Sequence, residues 1–433
     1  MHGVFRSIFI FFIYSLFVQA NIKVRDGEYL IKFKKNTLFS LNSVVVERGF
    51  KTIENLYHIK DTQKNLQKLI SFNSDNIEYI EPVYEVSIEP FAKKISFENP
   101  DISQQWGLEN DLDTDINARA AWEYNTGNSN IVVAVIDTGV EMSHPELISQ
   151  LAVNAGEIAD NQIDDDNNGF VDDVSGWNFA GKDNDPNDDN GHGTHCAGII
   201  AASGQKIFGV APGVKILPLK FLDKRGSGST ADAIAAIDYA VMMGAQVLSN
   251  SWGGGGRSQA LADAIESANR RGIYFVAAAG NSGQDLGKRK MYPAAYEIEN
   301  IITVSNIQKD GSLHRSSNYS PRYSHIAAPG TKILSTYLDG GYAWLTGTSM
   351  AAPFVSGAVA LMLSYSQSLT MKRLQEILAN VPKKLPPLED KVMWQGSLNL
   401  GAAMRILATS EPNPEPNPEP NPEPNPEPNP EPN

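Results

Sequence analysis

The stretch NDDNGHGTHCAGII, residues 187–200, sets two histidines and the chain's single cysteine where a polar, glycine-punctuated loop meets an apolar run. Glycines on both sides of His192 remove side-chain bulk and let the backbone approach something closely. Cys196, Ile199 and Ile200 then read as the buried face of a helix. An imidazole at such a junction can ligate a metal, pack in a core or act as a general base. No glutamate follows His192, so His192 and His195 do not make the paired-histidine pattern of zinc proteases. Cys196, just inside the helix, reads as a small buried hydrophobe.

A general base needs partners, and three segments offer them. AVIDTGV puts Asp137 at the tip of an apolar strand, where an aspartate is also an ordinary turn or cap residue. LTGTSMAAPFVSGAVALML puts Ser349 at the start of a strongly apolar helix, with Pro353 expected in its first turn. A serine there is commonly an N-cap, yet a nucleophile gains from the same place because the helix N-terminus favours developing negative charge. AAAGNSG ends a strand with Asn281, whose side-chain amide can donate to an oxyanion.

The elements that must hold these groups follow from two periodicities. IVVAVI (131–136), KILPLKF (215–221), AQVLSN (245–250), GIYFVAAA (272–279) and NIITVS (300–305) are short, apolar and rich in β-branched residues, as doubly buried parallel strands are. Helical segments alternate with them. One carries Ile234, Ile237 and Val241 on one face and enters through a cap at Ser229; another carries Leu261, Ile265 and Ala268. The pattern predicts an α/β fold: a doubly wound, mostly parallel sheet with helices on both faces, its chemistry at the carboxyl ends of the strands. Ahead of it, YLIKFKK and IEYIEPVYEVSI surround a helical stretch near Lys60–Leu69, which predicts a small α+β unit.

In the order Asp137, His192, Asn281, Ser349, the segments VIDTGV, NGHGTHCAGI, SNSWGGG, AAAGNSG and GTSMAAP resemble those of the subtilisin-like serine proteases, the subtilases, over residues 100–408. The cysteine directly after GHGTH is similar to the proteinase K and thermitase branch. The resemblance implies that Ser349 attacks the scissile carbonyl and His192 takes its proton. Asp137 orients the imidazole, and Asn281 with the Ser349 N–H forms the oxyanion hole. It also implies a substrate strand between Gly226-Ser227-Gly228 and Ser251-Trp252-Gly253, a β-augmentation. The specificity pocket is walled by Ser251 to Gly254 and by Ala278, Ala279 and Gly280. Neither stretch holds an acid, so an apolar, broad preference is expected for the residue before the scissile bond (P1). Phe354 stands where most relatives have histidine and is expected to affect packing.

DDDNNGFVDD offers Asp164, Asp166, Asn168, Gly169 and Asp172 at the spacing of the first nine positions of an EF-hand loop, but Ser175 holds the twelfth. A structural calcium loop is expected there. A second is expected at Asp183, Asp185 and Asn187, where thermitase has a calcium site.

The totals set the frame. Residues 1–20 have Arg6, an apolar run from Ile8 to Val18 and a small residue at the exit, which read as a secretory signal peptide rather than a membrane span. A secreted protein with no membrane span is expected. One cysteine forbids an internal disulfide. Residues 21–96 hold 12 basic and 10 acidic side chains and residues 97–410 hold 23 and 34, a balance that gives no electrostatic reason to bind nucleic acid. Residues 411–433 repeat Glu-Pro-Asn-Pro and are expected to be extended. The expectation is a monomeric, secreted endopeptidase acting on proteins and peptides. It is made as a zymogen, with residues 21–96 as inhibitory prosegment and 97–410 as catalytic domain. The rival reading, a catalytically silent surface or adhesion protein on the same scaffold, is disfavoured by the completeness of the four-residue set.

Overall fold

Alternation along each buried strand divides the core in two. In the computed structural model, which describes residues 22–41, 44–61, 65–89, 96–97 and 101–410, the N-terminal unit comprises β1 (Val24–Phe33), β2 (Val45–Gly49), β3 (Leu56–Lys60), α1 (Leu66–Asn73) and β4 (Ile77–Ser87). Next come β5 (Ser96–Phe97), α2 (Ala118–Trp122), β6 (Val132–Asp137), β7 (Trp177–Asn178), α3 (His192–Ala201), β8 (Lys215–Lys220) and β9 (Ser227–Ser229). These lead to α4 (Thr230–Met242), β10 (Val247–Asn250), α5 (Gln259–Asn269), β11 (Tyr274–Ala278), β12 (Ile301–Ile307) and β13 (Ile326–Pro329). The chain closes with β14 (Ile333–Tyr337), β15 (Gly341–Leu345), α6 (Thr348–Tyr365), α7 (Met371–Asn380) and α8 (Leu400–Ser410).

The central sheet has seven strands in the order β13-β12-β11-β10-β6-β8-β7, and every neighbouring pair is parallel. Val133, Val135, Val247, Val276, Ile302 and Val304 point into one core with α3 and α6. Ala134, Ile136, Leu248, Phe275, Ala277 and Ile301 point into the other with α4 and α5. Successive residues face opposite ways, so a sheet covered on both sides needs apolar residues at every position. The doubly wound α/β reading holds. Ser229 caps α4 by accepting from the Asp232 N–H at 3.1 Å. Among the described residues, α6 is the one helix long and apolar enough to cross a membrane, and it is buried in this core.

The N-terminal unit differs from expectation. Its helix starts at Leu66, and β2 and β3 were not expected. Lys60 ends β3, and the Asp61 carboxylate turns the chain by accepting from the N–H groups of Asn65 (2.7 Å) and Leu66 (2.9 Å). One face of this unit joins the second core through Leu30, Phe50, Ile53, Leu56, Val83 and Val86. Polar contacts lock the same surface. Asp238 of α4 accepts from the backbone of Lys51 (2.8 Å) and Thr52 (2.6 Å). Glu81 accepts from Gln259 N–H (2.8 Å), Ala260 N–H (3.1 Å) and the Ser258 hydroxyl (2.5 Å), supplying a carboxylate at the N-terminus of α5. The leader 1–20 and the repeat 411–433 lie outside the described residues.

Candidate active site

The site is built from one strand end and two helix starts. Asp137 is the last residue of β6, and its Oδ1 accepts from Thr138 N–H (2.7 Å) and meets His192 Nδ1 at 2.7 Å. Both side chains are sealed, His192 at 0% and Asp137 at 1% exposure. A carboxylate accepts only, so the proton sits on Nδ1 and Nε2 is the basic nitrogen. His192 opens α3 behind Gly191, whose φ of +99° is a left-handed conformation suited to glycine. The loop before it is held by Asp188, a residue the sequence reading missed. Its carboxylate accepts from Thr194 N–H (3.0 Å) and the Thr194 hydroxyl (2.7 Å), while burial pushes its pKa up.

His195 faces away from His192. Its Nε2 lies 3.1 Å from the Ile333 carbonyl and 3.0 Å from that of Ala343, so it carries the proton there, and burial lowers its pKa to about 3. It is a neutral structural donor, and the two histidines form no metal pair.

Ser349 is the second residue of α6. Pro353 falls in the second turn rather than the first, four residues after Ser349, and this has a consequence. Proline has no N–H to return to the Ser349 carbonyl. That carbonyl accepts instead from the Ser251 hydroxyl (2.9 Å) and the Cys196 thiol (3.4 Å), which ties the serine to the end of β10 and to α3. Burial pushes the Cys196 thiol well up, so it stays protonated. Ser349 Oγ itself donates to the Ser251 carbonyl at 3.2 Å.

Asn281 is fixed by its oxygen, which accepts from Thr348 N–H (2.8 Å) and the Thr348 hydroxyl (3.1 Å). The structure thus brings Asn281 beside the residue that precedes Ser349. Phe354, by contrast, packs in the core; a methyl at Gly107 would lie 2.5 Å from its ring.

The two expected cleft segments flank one strand, and that strand is the chain's own. β4 pairs antiparallel with β9, Val86 opposite Gly228 and Ser87 opposite Ser227. Ser87 exchanges backbone hydrogen bonds with Gly253 (3.1 and 3.0 Å), and Ile88 N–H reaches Gly226 O at 3.0 Å. The Trp252 ring is buried edge-on to Phe221. Beyond Ile88, the Glu89 carboxylate accepts from Asn281 N–H and, at 3.1 Å, from the Ser282 hydroxyl. Ala278 and Ala279 are buried, and Gly280 at φ +100° donates to Thr348 Oγ1 at 3.0 Å.

Of the acidic loop, the structure gathers Asp164 and Asp166 with Glu157, their oxygens all within 4.8 Å of one another. The sequence reading missed Glu157, which lies outside the EF-hand register. Asp172 points elsewhere, accepting from the N–H groups of Asn161 and Gln162 (both 3.0 Å), and Asn168 Oδ1 accepts from Phe170 N–H at 2.8 Å. Asp183 and Asp185 hold turn N–H groups, Asn187 accepts from Met142 N–H at 3.0 Å, and among the described residues they join no cluster of three acids.

Comparison with known proteins gives the family. The model of the Subtilase family matches residues 128–392. The chain is 31% identical to Subtilisin-like protease 1 of Plasmodium berghei, over 92% of this chain and 71% of that protein. It is 35% identical to Subtilisin-like protease 1 of Plasmodium vivax, over 72% of this chain and only 52% of that longer protein. It is 38% identical to Thermitase of Thermoactinomyces vulgaris, over 58% of this chain and 81% of that protein.

Proposed function

The chain belongs to the subtilase family of serine endopeptidases, and from that premise we propose that it is a self-processing, secreted protease using Asp137, His192 and Ser349 with Asn281. The observation that carries the reading is the sealed 2.7 Å contact of His192 Nδ1 with Asp137 beside a cleft that clamps an extended strand. In the reaction, Ser349 Oγ turns from the Ser251 carbonyl to attack the scissile carbon, and its proton passes to His192 Nε2. Asp137 stabilises the imidazolium. The carbonyl oxygen, now negative, is met by the Asn281 amide and the Ser349 N–H. Collapse expels the amine, which takes the proton from His192 and leaves an acyl-serine for water to hydrolyse.

Residues 21–96 act as the inhibitory prosegment, supported by the docking on α4 and α5 and by residues 85–88 lying where a substrate strand lies. Calcium is assigned a structural role at Glu157, Asp164 and Asp166, a donor set of hard oxygens suited to that ion. The second loop, Asp183, Asp185 and Asn187, is the weaker donor set, because among the described residues it joins no cluster of three acids. Labelling by a fluorophosphonate tests the catalytic assignment: it should attach to Ser349 in processed protein and vanish in Ser349→Ala. Unchanged labelling of Ser349→Ala overturns it.

A further inference from the structure

The wall composition of the specificity pocket leaves out its floor. Met291 reaches between the two walls: a methyl built on Gly253 would lie 2.8 Å from the Met291 Cε, and one built on Gly280 2.3 Å from the same atom. Its thioether is backed by Ala279, Leu286, Ala294, Ala295 and Tyr323, so the side chain is braced in place. Space that a large aromatic or branched side chain needs is therefore filled by the protein itself. Next along the chain from Gly280 stand two hydrogen-bond donors, Asn281 N–H and the Ser282 hydroxyl, and a carboxylate already sits on both.

That carboxylate belongs to Glu89, and its place in the strand matters. Ser87 is paired with Gly253 and Ile88 with Gly226, so Glu89 is the next residue along, at the end of the clamp where Asn281 and Ser349 meet. On the catalytic reading this end of the clamp receives the residue before the scissile bond, and Glu89, followed in the sequence by Pro90, fills it here. On the catalytic reading above, we propose that the cleft takes a short acidic side chain, glutamate first, at this position. Met291 and Ser282 are the residues that set the choice. Met291 excludes large apolar groups. The Asn281 N–H and Ser282 hydroxyl receive the carboxylate that those groups lack. Two donors and no acid in either wall favour an anion over a neutral side chain, because hydrogen bonds to a charged group are stronger than neutral ones. This replaces the broad apolar preference expected from Ser251–Gly254 and Ala278–Gly280 alone.

The test uses the processed protein and peptides acetyl-Val-Ser-Ile-X with a fluorogenic amine, X being Glu, Asp, Gln, Leu or Phe, after labelling of Ser349 has been scored. Glutamate should exceed phenylalanine and leucine in kcat/KM by about 10-fold or more. Ser282→Ala should lower the glutamate peptide by roughly 10-fold, the loss expected for one hydrogen bond to a charge, and leave leucine unchanged. Met291→Gly should raise phenylalanine by about 10-fold or more with glutamate little altered, as expected when a filled apolar pocket is opened. Ser282 is exposed, so its variant carries the test alone if the floor variant fails to fold. Phenylalanine or leucine ranking first in a protein that is labelled at Ser349 overturns the acidic preference and leaves the peptidase reading standing. A protein that neither labels nor cleaves any peptide overturns both.

Discussion

The side-chain oxygen of Asn281 accepts from the backbone N–H of Thr348 at 2.8 Å, one residue before Ser349. A backbone N–H can only donate, so the amide oxygen has to face it and the NH2 end is left for the cleft. Asn281→Leu should therefore lower kcat by roughly 10²–10³ with little change in KM, the usual size for loss of one such donor in the transition state. Steady-state kinetics decide it; a KM defect with normal kcat removes Asn281 from the oxyanion hole.

On the proposed zymogen reading, the strand in the cleft makes maturation testable. Ser349→Ala should accumulate as one chain lacking only its leader, while the unaltered protein separates between about Val86 and Asn99, of which residues 90–95 and 98–99 lie outside the described set. Mass spectrometry of the two proteins, each purified alone, reads the outcome. Normal separation of pure Ser349→Ala means that another protease makes the cut.

Removal of calcium should lower the inactivation temperature and speed self-digestion while initial activity persists, because Glu157, Asp164 and Asp166 sit on a loop distinct from the triad. An ion bound only by the folded form stabilises it by mass action. Asp164→Asn should reproduce the effect. An unchanged half-life in chelator shows that the cluster is a solvated turn.

Acid should destabilise the fold partly through His195. Burial lowers its pKa from 6.5 to about 3, so below about pH 6.5 the unfolded chain takes a proton that the folded chain refuses. Its share of stability is present above that pH and is lost as pH falls toward 3, amounting to about 2 kcal/mol at pH 5. Denaturant unfolding in a Ser349→Ala background measures it. His195→Gln should flatten the slope between pH 6.5 and 4 by close to one proton; an equal slope overturns the assignment.

Residues whose placement depends on local chain geometry were legible in the sequence. Asp137 at a strand end, His192 at a helix start and Ser349 before an apolar helix each announce their positions through periodicity and glycine. The strands of the central sheet were legible for the same reason, since every residue of a doubly covered strand is apolar. Glu157, Asp188, Glu89 and Met291 were not. Met291 and Glu89 act through a fold-level approach: Met291 meets Gly253 from 38 positions away in the chain, and Glu89 meets Asn281 from 192 away. Asp188 and Glu157 act within their own loops, through turns that no periodicity marks. The EF-hand register failed for a related reason, because Asp172 is used to hold the Asn161 and Gln162 amides. Pro353 was placed one turn early because an interior proline is expected to break a helix, and here its missing hydrogen bond is made good by Ser251 and Cys196.

The clamp between Gly226–Ser229 and Gly253 carries one more consequence. It grips main chain on both edges, and main chain inside a helix or a closed sheet has already given its hydrogen bonds away. About four residues must be drawn out, some 13 Å of extended polypeptide, before the reacting carbonyl can arrive. The susceptibility of a target is then set largely by the target: how often a linker, frayed terminus or loop opens far enough to be threaded. Two proteins with the same cut sequence should differ in lifetime by the free energy of that local opening, and a tightly folded domain should survive beside its own severed tail.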